Sequence, residues 1–308
     1  MAGIDVNRTT SGIILTPEQS AEIWSAAEYT SAAMQLAQRV DLPGSGVSVD
    51  IITGEPEADW VSETDEKPVS RPTFGSKLMT PYTAAVIVPF SNQFRRDKAR
   101  LYAEVVRKLP QALAKKFDQT VFGPDTGAPG DNFDTLGDAP QVGIAGNTYA
   151  GLIAADQAIA TGGGILNGWA LSPQARGLLL GAVDGSGRPL FINNVQTDGA
   201  VPALLGSPVY QTKGIYQEGT PAEEGPPEVE GTPARLGFAG DWSSAHYGVV
   251  ENISLSISDQ ATINDGGTQL NLWQRNMFAV RAEFEVGFRV RDITHFAALT
   301  GAEQAVGG

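Results

Sequence analysis

From Phe278 to Val290 the chain alternates for thirteen residues. Phe278, Val280, Ala282, Phe284, Val286, Phe288 and Val290 share one parity, against Arg281, Glu283, Glu285 and Arg289 on the other. Side chains of a strand point alternately to its two faces, so this run predicts one long half-buried strand. Its polar face mixes both signs of charge, which suits solvent or a facing subunit.

A second long signal has the helical period. Leu101, Tyr102, Val105, Val106, Leu109, Leu113 and Phe117 recur at spacings of three and four, predicting a helix over 93–122. At 1.5 Å per residue it would be roughly 40 Å long. Pro110 lies inside it and predicts a kink or break. Arg95, Arg96, Lys98, Arg100, Arg107, Lys108, Lys115 and Lys116 fall on this stretch, opposed only by Asp97 and Glu104. They read as a solvated face or as a strip facing an acidic partner.

Upstream, Thr16-Pro17-Glu18 opens a helix that Asp41-Leu42-Pro43-Gly44 closes. It reads as a packed helix or as an arm on a neighbouring subunit. Residues 47–90 read as two strands, one through Val47, Val49 and Ile51 and one through Tyr82, Ala84, Val86, Val88 and Phe90. A polar connection from Glu55 to Lys77 joins them. A two-stranded ribbon has no core of its own and is marginal alone in water. Its cover must come from the rest of the chain or from another copy.

Past a Gly- and Asp-rich loop to about 146, short elements follow: a helix after Asn147, a buried strand Trp169–Leu171 leading into a helix at Ser172-Pro173, a turn at 184–189, and a strand over 204–210. Residues 217–234 hold five glutamates among prolines and glycines and read as an exposed acidic insertion. Strands dominate from Leu236 onward. The fold class is α+β.

Composition removes most chemistry. There is no cysteine, so disulfides, thiol catalysis and thiolate metal sites are excluded. His246 and His295 are the two histidines. Both read as structural, and a His-rich metal centre is excluded. No phosphate loop, Ca²⁺-loop spacing or nucleophile elbow is present. No run is apolar enough to span a membrane, and no secretory signal opens the chain. Cofactors and catalytic residues are expected to be absent. A formal charge of −14 argues against a surface-wide grip on nucleic acid.

The order of segments is more informative than any single residue. Ala58-Asp59-Trp60-Val61 and Glu63, then Arg71-Pro72-Thr73-Phe74 and Pro81-Tyr82-Thr83-Ala84, resemble the extended loop of the tailed-phage major capsid proteins with the Hong Kong 97-type fold. The run from Lys115 to Gly123 resembles the end of that family's spine helix. Trp169–Pro173, Gly185–Phe191 and Gly206–Val209 resemble its axial domain. Gly237–Trp242 and Asn276–Glu283 resemble its closing strands. The resemblance covers roughly residues 10–300.

It implies an N-terminal arm over 1–46, an extended loop over 47–92, a spine helix and loop over 93–146, an axial domain over 147–235, and closing peripheral strands over 236–308. It implies a structural protein, not an enzyme, that assembles as hexamers and pentamers into an icosahedral shell around double-stranded DNA, held non-specifically. Portal and a separate scaffold or maturation protease are the implied partners. Assembly in the host cytoplasm and residence in the virion capsid follow. Trp60, Glu63, Lys67, Arg71, Phe74, Arg95, Arg96, Arg281 and Glu283 are the expected assembly contacts. Some family members crosslink a loop lysine to a neighbour, and the loop lysines here, Lys67 and Lys77, lie in no matching motif. An encapsulin-type compartment enclosing enzymes would share the fold. A cofactor-free carboxylate hydrolase would instead require two acids in one cleft, and a surface-layer protein would require an export signal.

Overall fold

The computed structural model describes residues 31–54, 58–63, 66, 67, 69–71, 73–97, 99–123, 127–183, 190, 203–220, 231–250 and 254–301. The expected helix start at Thr16, the turn at 184–189 and the centre of the acidic insertion lie outside them. In chain order come α1 (Ala32–Leu36), β1 (Gln38–Asp41), β2 (Val47–Gly54), β3 (Thr73–Met79), β4 (Tyr82–Ser91), α2 (Asn92–Asp97) and α3 (Ala99–Val121). Next are β5 (Gln141–Gly143), α4 (Thr148–Thr161), β6 (Gly168–Leu171), α5 (Pro173–Gly181), β7 (Ala203–Leu204) and β8 (Ser207–Gln211). The chain then forms β9 (Arg235–Gly240), β10 (Ala245–Val249), β11 (Ser254–Ser258), β12 (Thr262–Asp265), β13 (Thr268–Asn271), β14 (Met277–Val290) and β15 (Phe296–Thr300).

The alternating run becomes β14, the central strand of a five-stranded sheet. β4 lies antiparallel along one edge, from Met277↔Ser91 to Val286↔Tyr82. β11 and β10 share the other edge end to end, and β1 runs parallel to β10. The apolar parity faces α3, whose Tyr102, Val106, Leu109, Leu113 and Phe117 are buried against it. Phe90, Tyr102 and Phe278 stack within 5.0–5.8 Å of one another, ring centre to ring centre. Edge-to-face and offset ring pairs of this kind add to the area they bury.

The second sheet runs β5-β15-β9-β6-β8-β7. Both its faces are covered, so its central strands are apolar throughout rather than alternating. Phe238, Phe296 and Ala298 join the large core. Ala239, Ala297 and Leu299 face a second core with Leu152 and Ile159 of α4 and Leu179 of α5. The Nε1 groups of Trp169 and Trp242 donate to the carbonyls of Leu204 and Gly168, so neither buried indole leaves its N–H unpaired. Asn147 and Ser172 cap α4 and α5 as the sequence suggests.

Five expectations are corrected. The first helix ends at Leu36, and 38–41 is strand, because Ala37 turns to extended geometry and β1 gains a ladder with β10. α3 runs on through Pro110: Val106, Leu109, Leu113 and Ala114 are buried on both sides of it, and this packing holds the helix together. The ribbon pairs β2 with β3, whereas β4 leaves it for the central sheet. Residues 203–211 form a hairpin, not one strand, since Leu205 and Gly206 take positive φ and close a two-residue turn. The charged parity of β14 is solvated at Arg281, but Arg289 is buried.

Candidate assembly interface

The ribbon is built by β2 and β3, paired from Val47↔Met79 to Gly54↔Thr73. Eight residues per strand carry its far end roughly 23 Å from its base. Trp60 lies beyond that end, and its side chain is fully exposed, with Val61 and Val69 also open to solvent. Glu63, Lys67 and Arg71 are exposed in the same connection. Phe74 sits on β3 opposite Ile52. Thus the first five expected contacts cluster at the ribbon's outer half.

The other four do not join them. Arg95 on α2 is half-buried, its guanidinium 5.0 Å from the centre of the Phe278 ring. Arg96 pairs with its neighbour Asp97 at 3.1 Å. Arg281 and Glu283 pair at 2.9 Å on the outer face of the central sheet, where Ser254 also donates to Glu283. Ile87 is exposed directly across from Arg281. Surface pairs of this kind add little stability. They leave that face wet and of mixed sign.

The base of the ribbon holds residues that sequence reasoning missed. Arg289 donates through Nε to the Leu78 carbonyl at 2.8 Å, and through Nη1 to Asp134 at 2.6 Å. Its Nη2 reaches Asn132 at 2.8 Å. Asp134 in turn accepts from the Val290 N–H, and Lys77 donates to the Val290 carbonyl at 2.7 Å. β3, β14 and the loop after α3 are thereby tied at one point. Beneath it, Met79 is fully buried over the facing glycines Gly248 and Gly287. A Cβ at either glycine would meet Met79 at 2.7–2.8 Å, so the notch exists only because both lack side chains. Lys77 is therefore engaged at the base. No spacing in the sequence links Lys77, Asp134 and Arg289. The single signal is a glycine pair that only the register aligns.

A second anchor fixes the N-terminal side. Asp118 of α3 is fully buried and accepts from Ser31 Oγ at 2.6 Å, Thr212 Oγ1 at 2.9 Å and the backbone N–H groups of Ala32 and Ala33. Burial pushes its carboxyl up to about 6, and the four donors pull the other way. The bases of α3 separate by position: Arg107, Lys108, Lys115 and Lys116 are exposed along its outer side, while Arg95 and Arg96 lie on α2. The histidines stay apart from these clusters. His246 lies on β10, where burial holds it below the ordinary imidazole range. Among the described residues no acidic or histidine cluster has metal-binding geometry, and no helix is long and apolar enough to cross a membrane.

Residues 11–301 match the family model described as the phage capsid family. The chain is 30% identical over 302 residues to the probable major capsid protein gp17 of Mycobacterium phage D29, covering 93% of this chain and 89% of that one. It is 23% identical over 281 residues to the major capsid protein of Staphylococcus phage 80alpha, covering 89% and 81%. Among solved structures, a chain of Mycobacterium phage Adephagia superposes with a TM-score of 0.70 at 22% identity, covering 95% of this chain and 99% of that one. One from Microbacterium phage Oxtober96 gives 0.70 at 20% identity, covering 89% and 91%. A long helix packed on an extended central strand, a second sheet beside them and a projecting ribbon thus recur in solved phage capsids, and the chain belongs to the phage capsid family.

Proposed function

We propose that this chain is the major capsid protein of a tailed phage and builds an icosahedral shell from hexamers and pentamers around double-stranded DNA. In the Hong Kong 97-type description, α3 is the spine helix. The sheet around β14 is the peripheral domain, the region of 147–235 the axial domain, and residues 47–79 the extended loop. The ribbon carries this reading: it projects from the body with Trp60, Val61 and Val69 bare at its far end. Such apolar exposure suits a chain whose copies cover one another in a closed assembly. The acidic balance of the chain suits an inner wall that does not grip tightly packed DNA. Portal and a separate scaffold or maturation protease are the partners, and the host cytoplasm is the place of assembly.

Negative-stain electron microscopy with sedimentation of the purified protein tests it. Closed particles holding nuclease-protected DNA after expression with a packaging system are expected. Closed particles holding enzymes instead would favour an encapsulin-type compartment. A subunit that stays monomeric even beside its scaffold would overturn the shell reading.

A further inference from the structure

A groove of about 560 Å³ opens between α3 and β4, floored by Tyr82, Phe117 and Phe133 and walled by Ala84, Val86 and Leu113. The floor is fixed before anything enters it. Phe133 meets Tyr82 edge-on at 6.1 Å and Phe117 at 6.2 Å. The Tyr82 hydroxyl accepts from the Asn132 N–H at 3.2 Å, and Gly130 leaves room for that ring. An aromatic floor of set geometry under an apolar cleft suits a flat ring entering edge-on. At the rim Lys116 is exposed, on the same helix row as Lys108 and Ala112.

The chain carries a matching element. Trp60 is bare at the end of the ribbon, followed by exposed Val61. The segment 59–66 holds Asp59, Glu63, Asp65 and Glu66 and no base. Apolar ring and acidic flank complement apolar groove and basic rim. The same copy cannot supply both. Its ribbon base is clamped through Lys77, Met79 and Arg289, and its tip stands roughly 23 Å beyond that base. The groove, by contrast, begins at Tyr82, three residues past Met79.

We infer that the groove between α3 and β4 seats Trp60 of a second copy's ribbon, with that copy's acidic 59–66 segment lying along Lys116. This rests on the shell reading and adds to it an anchor, a pocket and a charge register.

The chain has no cysteine, which permits a direct test. The pair Val61→Cys with Ala112→Cys leaves Trp60 in place. Under mild oxidation its closed particles should yield a ladder of covalently joined chains. The pair Val61→Cys with Gln269→Cys, on the distant β12–β13 hairpin, should not. Closed particles without the ladder, or an equal ladder from both pairs, would overturn the docking. Hydroxyl-radical footprinting of the unmodified protein gives a second readout. Trp60 should react several-fold less in particles than in free subunits, and equal reactivity would overturn the docking even if the cysteine variants fail to assemble. Trp60→Ala should raise the concentration needed for assembly by about tenfold or more, as loss of a central aromatic anchor does. Absence of particles from the unmodified protein would instead strike the shell reading itself.

Discussion

Arg289 Nη1 stands 2.6 Å from Asp134 Oδ1, on the one charged position of β14 that the fold buries. The pair does more than neutralise two charges. Through Leu78, Val290 and Lys77 it joins the ribbon to the body, and so sets the direction in which the ribbon leaves.

Arg289→Met should therefore be costly. It leaves Asp134 partly buried without its strongest partner and frees the Leu78 carbonyl. A loss on the order of 3 kcal/mol is expected, read from chemical denaturation of the subunit. Arg289→Lys should recover only a fraction of it, since a lysine cannot reach three acceptors in a fork. Equal stability of all three proteins would show that the clamp is not structural.

Gly287→Ala and Gly248→Ala address the notch under Met79. Each Cβ would sit within 2.8 Å of that side chain. Either should cost about 1–3 kcal/mol by overpacking, and Met79→Ala in the same background should recover part of the loss. Additive losses in the double variants, measured by thermal unfolding, would rule out the contact as the cause.

Asp118 makes stability depend on pH. Its folded carboxyl titrates near 6, against an ordinary value of 3.8, so the folded chain holds the proton more tightly than the unfolded one. The contribution is complete below 3.8 and is lost as pH rises through about 6. Asp118→Asn should flatten this part of the profile between pH 4 and 6.5 in denaturant titrations. A variant whose slope there equals that of the unmodified protein would assign the dependence to other groups.

Ser31→Ala removes both the cap of α1 and a donor to Asp118. A loss of about 1–2 kcal/mol is expected, with faster hydrogen exchange confined to α1 and β1. Uniformly faster exchange across the chain would contradict a local anchor.

Replacing 221–230 by a short glycine turn should leave assembly intact. The chain closes below that segment, where Thr220 and Thr232 exchange backbone hydrogen bonds at 3.0 Å and their hydroxyls meet at 2.8 Å. Loss of closed particles in electron micrographs would give the acidic insertion a contact role.

Periodicity in the sequence determined β14, α3 and their apolar faces, because burial imposes a period of two on a strand and of 3.6 on a helix. It also determined the caps at Asn147 and Ser172 and the absence of thiol chemistry, which are local or compositional. Trp60 and the ribbon's need for cover were legible for the same reason: an apolar stretch with no local core must find one elsewhere. What only the tertiary structure decided is pairing. β4 alternates as a ribbon strand would, yet its ladder lies with β14, since local pattern fixes a strand's faces and not its partner. Arg289 follows the solvent-facing parity and is buried all the same, because Asp134 and Leu78 arrive from 155 and 211 residues away to satisfy it. The groove over Tyr82, Phe117 and Phe133 is likewise assembled from three distant segments, and no spacing along the chain foretells that they meet.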